Sequence, residues 1–160
     1  MLRSALLATA TAATLSLMAA PAFAGPAETA FLARLAGTWT GSGKMTGEET
    51  GTAACKMVFR ASTGSAKYTG RCNIRDIGAQ GFSGSLVYND ARKRYEARAM
   101  GGSVAGIKRG NSVVFTTKSD SIAGSAYSTM TVSASRITID FTIVNRSTNG
   151  KTKAHITFSK

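Results

Sequence analysis

From Trp39 onward, apolar and polar residues alternate in short runs that are separated by Gly, Asn, Asp and Ser. A period of two residues is typical of strands that bury one face. No stretch after residue 36 has the spacing of a helix that could join two parallel strands. The pattern therefore predicts an all-β fold of about ten antiparallel strands in sequence order. We expect an up-and-down β-barrel because closure leaves no free edge, and a β-sandwich is the alternative.

The clearest hairpin is predicted around Thr63-Gly64. With these residues as a two-residue turn, Phe59 faces Tyr68 and Cys55 faces Cys72, and the pairs on that face are all apolar. A shift of one residue would move every side chain to the other face. The register thus predicts a disulfide between the two cysteines, which are directly opposite each other.

Three further hairpins follow in the predicted order. The second turns through residues 89–94, and the third turns at Arg109-Gly110. The last turns at Asn149-Gly150, a dipeptide that favours tight hairpins. With that turn, Phe141 would face Phe158 and Ile143 would face Ile156.

Residues 1–24 have the pattern of a secretory signal peptide. A positive start is followed by an uncharged run from Leu6 to Ala20, and Ala22-Phe23-Ala24 predicts cleavage after Ala24. We therefore expect residues 25–160 to form a single exported domain, periplasmic or secreted in a bacterium, with no transmembrane segment after cleavage. An oxidising compartment would also favour the predicted disulfide.

A short helix is predicted before the first strand. Pro26 suits its first turn, Glu28 suits its positive end, and Gly37 ends it. One face of this helix is apolar, so we expect it to cap one end of the barrel through Phe31, Leu32 and Leu35.

The segment Leu35-Ala36-Gly37-Thr38-Trp39 places a G-x-W motif between a helix and a strand. It resembles the opening of calycin barrels, which include lipocalins, fatty-acid-binding proteins and nitrobindin-like proteins. The resemblance implies a barrel that binds a small ligand, although this chain lacks the helical pair that follows the first strand of fatty-acid-binding proteins. Small exported β-barrel inhibitors of bacterial metalloproteases also share a G-x-W strand and one disulfide, so a protease inhibitor is an alternative function.

Nitrobindin-like proteins hold haem through a histidine in the last strand, and the single histidine here, His155, lies in the last predicted strand. Ala154, Ile156 and Phe158 occupy the apolar face of that strand, so His155 is predicted to face outward. Haem ligation is therefore the less favoured alternative. One histidine also cannot build a histidine cluster for a metal ion, and we expect no cofactor and no metal.

No catalytic constellation stands out. The eight acidic residues are scattered, and the glycines lack the strand–loop–helix context of a phosphate site. In the predicted last hairpin, Asp140 shares a face with His155 but lies two pairs away from it. A triad with Thr157 or Ser159 would sit on an open strand face without an oxyanion donor. We expect no enzymatic activity.

The expected function is non-enzymatic binding of a small apolar or amphipathic molecule inside the barrel. Gly70, Gly84, Gly106, Ala97 and Ala99 fall on inward faces and would leave space for it. The alternative is that large side chains simply fill the interior. The predicted interior, ligand-binding residues are Trp39, Met57, Phe59, Tyr68, Leu86, Tyr88, Tyr95, Phe115, Phe141 and Phe158.

The chain has a net charge of +12, and most of its cationic side chains are expected on the outer surface of the barrel. In the first hairpin Lys56 faces Arg71 and Arg60 faces Lys67, and like charges directly opposite each other are unfavourable. These residues form a four-cation patch, which is either a solvated face or a contact for an anionic envelope surface. The charge alone would permit nucleic acid, but we expect no nucleic-acid partner for an exported chain.

Overall fold

The computed structural model describes residues 25–160, and within them ten antiparallel strands form one closed barrel. Each strand pairs with its sequence neighbours, and β1 pairs with β10 to close the sheet. The predicted up-and-down barrel is confirmed, and the sandwich alternative is wrong. The predicted signal peptide, residues 1–24, lies outside the described residues. The strands are β1 (Gly37–Gly47), β2 (Gly51–Ser62), β3 (Ser65–Ile74), β4 (Gly78–Asn89), β5 (Arg94–Ala99), β6 (Gly102–Arg109), β7 (Ser112–Asp120), β8 (Gly124–Ser133), β9 (Arg136–Asn145) and β10 (Lys151–Ser159).

The helix α1 (Pro26–Arg34) lies across one end of this barrel, as the sequence predicted. Its apolar face is buried, with Leu32 and the following Leu35 at 0% exposure. We call this end, with turns 63–64, 90–93, 110–111 and 134–135, the closed end. The open end carries turns 48–50, 75–77, 100–101, 121–123 and 146–150.

Trp39 joins the helix to the first strand. Its ring is completely buried, and its indole Nε1 donates a hydrogen bond to the Leu35 carbonyl at 2.8 Å. A carbonyl in the last turn of a helix has no partner within the helix, and a buried indole N–H needs one. The G-x-W motif therefore satisfies both groups at once and fixes the closed end.

The first hairpin has the predicted register. Cys55 pairs with Cys72, and Phe59 pairs with Tyr68. The two cysteines form a disulfide with their Cα atoms 4.0 Å apart. The second hairpin also agrees with prediction, since Tyr88 pairs with Tyr95.

The third hairpin turns one residue later than predicted. Its turn is Gly110-Asn111, because β6 extends through Arg109 and β7 begins at Ser112. Gly110 has a φ of +55°. Glycine adopts this left-handed conformation at no steric cost, which suits the first position of a tight hairpin turn.

The last hairpin has a different register from the predicted one. Phe141 faces Ala154 and Ile143 faces Thr152, because residues 146–150 form a five-residue loop instead of a two-residue turn. Asn145 starts this loop, and its side chain accepts hydrogen bonds from the Ser147 N–H and hydroxyl. The observed register is shifted from the predicted one by an even number of residues. The side chains that were predicted to face inward therefore still face inward.

Candidate functional site

A cavity of about 360 Å³ lies inside the barrel between β5, β6, β7 and β8, near the open end. Its volume is in the range of small-molecule sites. It reaches the surface beside the β5–β6 turn, where Gly101 and Gly102 form part of its wall. The apolar side chains that line it are Tyr68, Ala97, Ala99, Val104, Phe115, Met130 and Ile139.

The cavity exists because the inward positions of this wall carry small side chains. Ala97 and Ala99 follow each other on the inward face of β5, and Thr117 and Ser128 face each other across β7 and β8. Ala99 is exposed, whereas Phe115 beneath the cavity is 3% exposed. The interior therefore passes from packed to open along the barrel axis.

The three inward glycines predicted to leave space, Gly70, Gly84 and Gly106, do not provide it, and that part of the prediction is wrong. Gly70 lies opposite Phe82, Gly84 opposite Tyr68, and Gly106 opposite Phe115. A Cβ at these glycines would lie 2.3 to 2.5 Å from the facing aromatic side chain. The rings fold over the glycines, so the volume that the missing side chains leave is already occupied. Ala97 and Ala99 do line the cavity, as predicted.

Hydroxyl groups provide the polar part of the cavity wall. Tyr68, Thr117 and Ser128 supply the hydroxyls, whereas Ser103 and Arg98 also border the cavity but direct their side chains outward to Glu96. Burial raises the pKa of the Tyr68 phenol, so this hydroxyl stays neutral at physiological pH. Neutral hydroxyls donate and accept hydrogen bonds, so the wall suits an apolar molecule that carries a polar group.

The predicted interior residues are divided between two regions of the barrel. Tyr68 and Phe115 line the cavity. Tyr88 and Phe141 are partly buried against the core. The remaining residues are packed in the hydrophobic core, where filling the barrel is their structural role: Trp39, Met57, Phe59, Leu86, Tyr95 and Phe158.

Sequence reasoning missed the polar cavity residues. Thr117 and Ser128 lie at inward positions of β7 and β8, whereas the sequence prediction names only apolar residues and glycines for the cavity wall. A polar residue at an inward position is the signal that could have found them, because it interrupts an apolar face.

The four-cation patch lies on the outer wall, as the register predicted. Lys56 pairs with Arg71, Arg60 pairs with Lys67, and all four are exposed. Its contact with an anionic surface stays a prediction.

A second charged group, on β5, was not predicted. Glu96 faces outward but is only 3% exposed, because arginines cover its carboxylate. The carboxylate oxygens lie 2.9 Å from Arg98, 3.4 Å from Arg94 and 3.6 Å from Arg92. These cations, with Arg98 foremost, hold the pKa of Glu96 below its usual value. The cluster keeps an excess of positive charge on the outer wall.

Asp140 and His155 are brought together on the outer wall, contrary to the predicted separation of two pairs. They are direct partners across β9 and β10, and His155 Nδ1 lies 2.6 Å from Asp140 Oδ1. Thr157 Oγ1 lies 3.1 Å from the other ring nitrogen, Nε2. His155 faces away from the cavity, so it does not provide the inward haem ligand that the haem alternative required. Both side chains are more than half exposed.

Within residues 25–160, no three His, Cys, Asp or Glu side chains lie close enough together to hold a metal ion. The one described helix, α1, does not have the length or hydropathy of a bilayer-spanning helix.

No protein-family model and no curated protein matches the chain. Its structure is similar to the S-type phycobiliprotein lyase CPES from Guillardia theta, with a TM-score of 0.59 and 10% identity, over 81% of this chain and 89% of that one. It is also similar to Rv2717c from M. tuberculosis, with a TM-score of 0.57 and 12% identity, over 85% of this chain and 98% of that one. The redesigned barrel mFAP0, solved with bound DFHBI, has a TM-score of 0.41 and 16% identity, over 79% of this chain and 99% of that one. The first two similarities show a shared fold, which is consistent with the calycin-like resemblance.

The prediction that this protein has no enzymatic activity is contradicted by the first of these comparisons. CPES has the same fold and is named as a lyase, so a barrel of this kind does not exclude catalysis. One reason given for the prediction also fails, because Asp140 and His155 are hydrogen-bonded neighbours and not two pairs apart.

Proposed function

We propose that this protein is an exported ligand-binding barrel that holds one small, largely apolar or amphipathic molecule in the cavity at its open end. The observation that carries the proposal is the cavity of about 360 Å³, lined mainly by apolar side chains and open beside the β5–β6 turn. Pockets with apolar walls and a few placed polar groups are the usual form of small-molecule sites.

The chemistry of the wall defines the class of ligand. Phe115, Met130 and Ile139 offer apolar contacts in the depth of the cavity. Tyr68, Thr117 and Ser128 add neutral hydroxyls that accept or donate a hydrogen bond. A ligand with an apolar body and one uncharged polar group matches this wall. Binding of such a molecule is a first step of carriage and of catalysis alike.

An exported location is part of the proposal. The signal-peptide pattern of residues 1–24 and the Cys55–Cys72 disulfide support a periplasmic or secreted protein. The four-cation patch of Lys56, Arg60, Lys67 and Arg71 supports contact with anionic groups of the cell envelope. Fractionation of the native host tests this: we expect the cleaved chain in the periplasmic or extracellular fraction, and an uncleaved cytoplasmic chain would contradict it.

Two threonines on β7 offer a matched test of the ligand site. Thr117 lines the cavity, whereas its neighbour Thr116 is exposed on the outer wall. In Thr117→Trp the indole fills the cavity, and in Thr116→Trp it points into solvent. We would titrate both variants and the unmodified protein with N-phenylnaphthylamine, an uncharged apolar fluorescent probe.

We expect the unmodified protein and Thr116→Trp to bind the probe equally, and Thr117→Trp to bind it at least about tenfold more weakly. Equal binding by all three proteins, or none by the unmodified protein, would contradict the proposal. Native mass spectrometry of protein from its own exported fraction then identifies the natural ligand as an added mass that denaturation removes.

A further inference from the structure

Three neighbouring turns at the open end each present one large apolar side chain to solvent. Ile77 in the β3–β4 turn is 47% exposed, Met100 in the β5–β6 turn is 103% exposed, and Ile122 in the β7–β8 turn is 93% exposed. We call these side chains the apolar tips. Exposed apolar groups that share one end of a molecule mark an interaction surface, unlike single ones scattered over it.

The other two turns of the open end are polar and contact each other. Glu48 in the β1–β2 turn accepts hydrogen bonds from the Thr148 hydroxyl and from the side-chain amide of Asn145. Glu48 also donates its backbone N–H to the Lys151 carbonyl. The open end therefore has an apolar half, made by the apolar tips, and a polar half that is held by its own hydrogen bonds.

The cavity lies beneath the apolar half. Its walls come mainly from β5, β6, β7 and β8, and the β5–β6 turn that carries Met100 also contributes Gly101 to the opening. The cavity opening beside Gly101 is therefore at the same end of the barrel as the apolar tips. With apolar side chains at the same end as the opening, exchange of a ligand between the cavity and an apolar phase is favoured over release of the ligand into bulk water.

Cationic side chains stand beside the apolar tips. Arg75 precedes Ile77 by two residues, and Arg98 precedes Met100 by two. Arg146 lies near the third tip, because its backbone N–H donates to the carbonyl of Ala123, the residue that follows Ile122. Arg98 is paired with Glu96 at 2.9 Å and Lys118 with Asp120 at 3.1 Å, which leaves Arg75 and Arg146 against the single acid Asp76. The apolar half thus combines aliphatic tips with a small excess of cations, which favours contact with an anionic phospholipid surface.

We propose that the apolar tips insert into the surface of a phospholipid bilayer, with the cavity opening facing the acyl chains. The tips stand singly on three separate turns, so a rigid protein partner would need three matching pockets. A fluid layer of acyl chains receives isolated side chains without such a match, and lipid phosphates accept the neighbouring cations. Only the transfer of ligand from the membrane rests on the proposed function, because insertion itself does not need the cavity.

Sedimentation with phospholipid vesicles tests the insertion. The mature chain, residues 25–160, is mixed with vesicles of phosphatidylethanolamine and phosphatidylglycerol in high salt, which screens adsorption by the four-cation patch. The test variant combines Ile77→Ser, Met100→Ser and Ile122→Ser. The matched control is Ile107→Ser, which removes a 62% exposed isoleucine from the outer wall of β6. All these positions are exposed, so both variants should keep their fold, which circular dichroism checks.

We expect the unmodified protein and the Ile107→Ser control to sediment with vesicles, and the triple variant to partition at least about tenfold more weakly. Equal partitioning of the triple variant, an equal loss in the control, or no binding by the unmodified protein would overturn the insertion. A concentration-dependent dimer that only the triple variant loses would also overturn it, because a second copy would then cover the tips.

The same proteins are titrated with N-phenylnaphthylamine without vesicles. Retained probe binding in a triple variant that no longer sediments supports membrane insertion by the tips alone. If the unmodified protein sediments and the triple variant does not, but the unmodified cavity binds no probe, insertion stands and the ligand proposal is removed instead.

Discussion

Glu96 faces outward on β5, yet it is nearly as inaccessible as a core residue. Five side chains contact its two oxygens, namely Asn89, Arg92, Arg94, Arg98 and Ser103. A carboxylate can be covered in this way because each oxygen accepts more than one hydrogen bond. The negative charge of Glu96 offsets the mutual repulsion of three guanidinium groups. Loss of this charge would leave the three positive charges close together without a neutralising partner.

The Glu96→Gln variant tests whether the charge of Glu96 contributes to stability in a pH-dependent way. The pKa of Glu96 in the folded protein lies below its usual value of 4.5, mainly because of the hydrogen bond from Arg98. The unfolded chain therefore takes up the proton first on acidification, and the contribution of Glu96 is present above about pH 4.5 and is lost as the pH falls through the folded pKa.

Thermal unfolding by circular dichroism at several pH values measures the effect. We expect the unmodified protein to be more stable than Glu96→Gln at neutral pH, and the difference to shrink below about pH 4.5. Glu49→Gln, which changes an exposed carboxyl in the β1–β2 turn, serves as the control. A difference between the unmodified protein and Glu96→Gln that stays constant down to pH 3 (roughly) would argue against the assigned role.

At the scale of strands, glycine and an aromatic ring repeatedly occupy facing inward positions. Gly41 faces Phe158, Gly70 faces Phe82, and a third such pair is Gly106 with Phe115. A ring that lies over a glycine shields the neighbouring backbone and fills the volume of the missing side chain. This pairing explains how a barrel with several inward glycines still has a densely packed core.

The Gly106→Ala variant tests this pairing. A Cβ at this position would lie 2.5 Å from the Phe115 ring and 2.6 Å from Val113, and both side chains are buried. We expect the free energy of unfolding to fall by about 1–3 kcal/mol, because extra volume in a packed core forces neighbours out of position.

Urea unfolding of Gly106→Ala is compared with that of Gly81→Ala. Gly81 lies on β4, and a Cβ there meets no atom within 4 Å. If the free energy of unfolding falls equally in both variants, the decrease results from replacing a glycine and not from a clash with the facing ring.

The whole molecule is asymmetric along the barrel axis. The closed end is packed by α1 and by the largest buried side chains, including Trp39, Leu32 and Phe158. The open end contains the cavity and the apolar tips. Such a division lets one end supply stability while the other remains accessible to a ligand, since the two are separated by the length of the strands.

The Leu32→Ala variant tests this division. Leu32 is completely buried between α1 and the barrel, so its truncation should lower the free energy of unfolding by about 2–5 kcal/mol. We expect N-phenylnaphthylamine affinity to stay within about threefold of the unmodified protein, because the cavity lies at the other end. Met100→Ala, a truncation of an exposed side chain at the open end, should leave the unfolding midpoint unchanged. A large loss of probe affinity in Leu32→Ala would show that the ends are coupled.

Most of the architecture was predictable from local pattern. The period of two assigns each side chain to a face, and the turn at Thr63-Gly64 sets one register in which apolar pairs coincide. That register was sufficient to pair Cys55 with Cys72 and to place the four-cation patch. The closed order of strands followed because each turn is too short for anything but an antiparallel neighbour.

The register of the last hairpin could not be predicted from the residues of the hairpin alone. Its five-residue loop is held by the Asn145 side chain and by Glu48, which comes from the β1–β2 turn. A tight turn at Asn149-Gly150 was the better local choice, and the long-range contact overrode it. The proximity of Asp140 and His155 followed from that difference.

By itself, the sequence determined which side chains face inward, because parity along a strand is a local property. The tertiary structure alone decided which of those inward positions are filled and which are empty. Three glycines predicted to leave space are covered by rings from the neighbouring strand, and the cavity forms where Ala97 and Ala99 of β5, Thr117 of β7 and Ser128 of β8 line one space. Empty volume depends on the sum of side chains around the barrel, and residues far apart in sequence contribute to that sum.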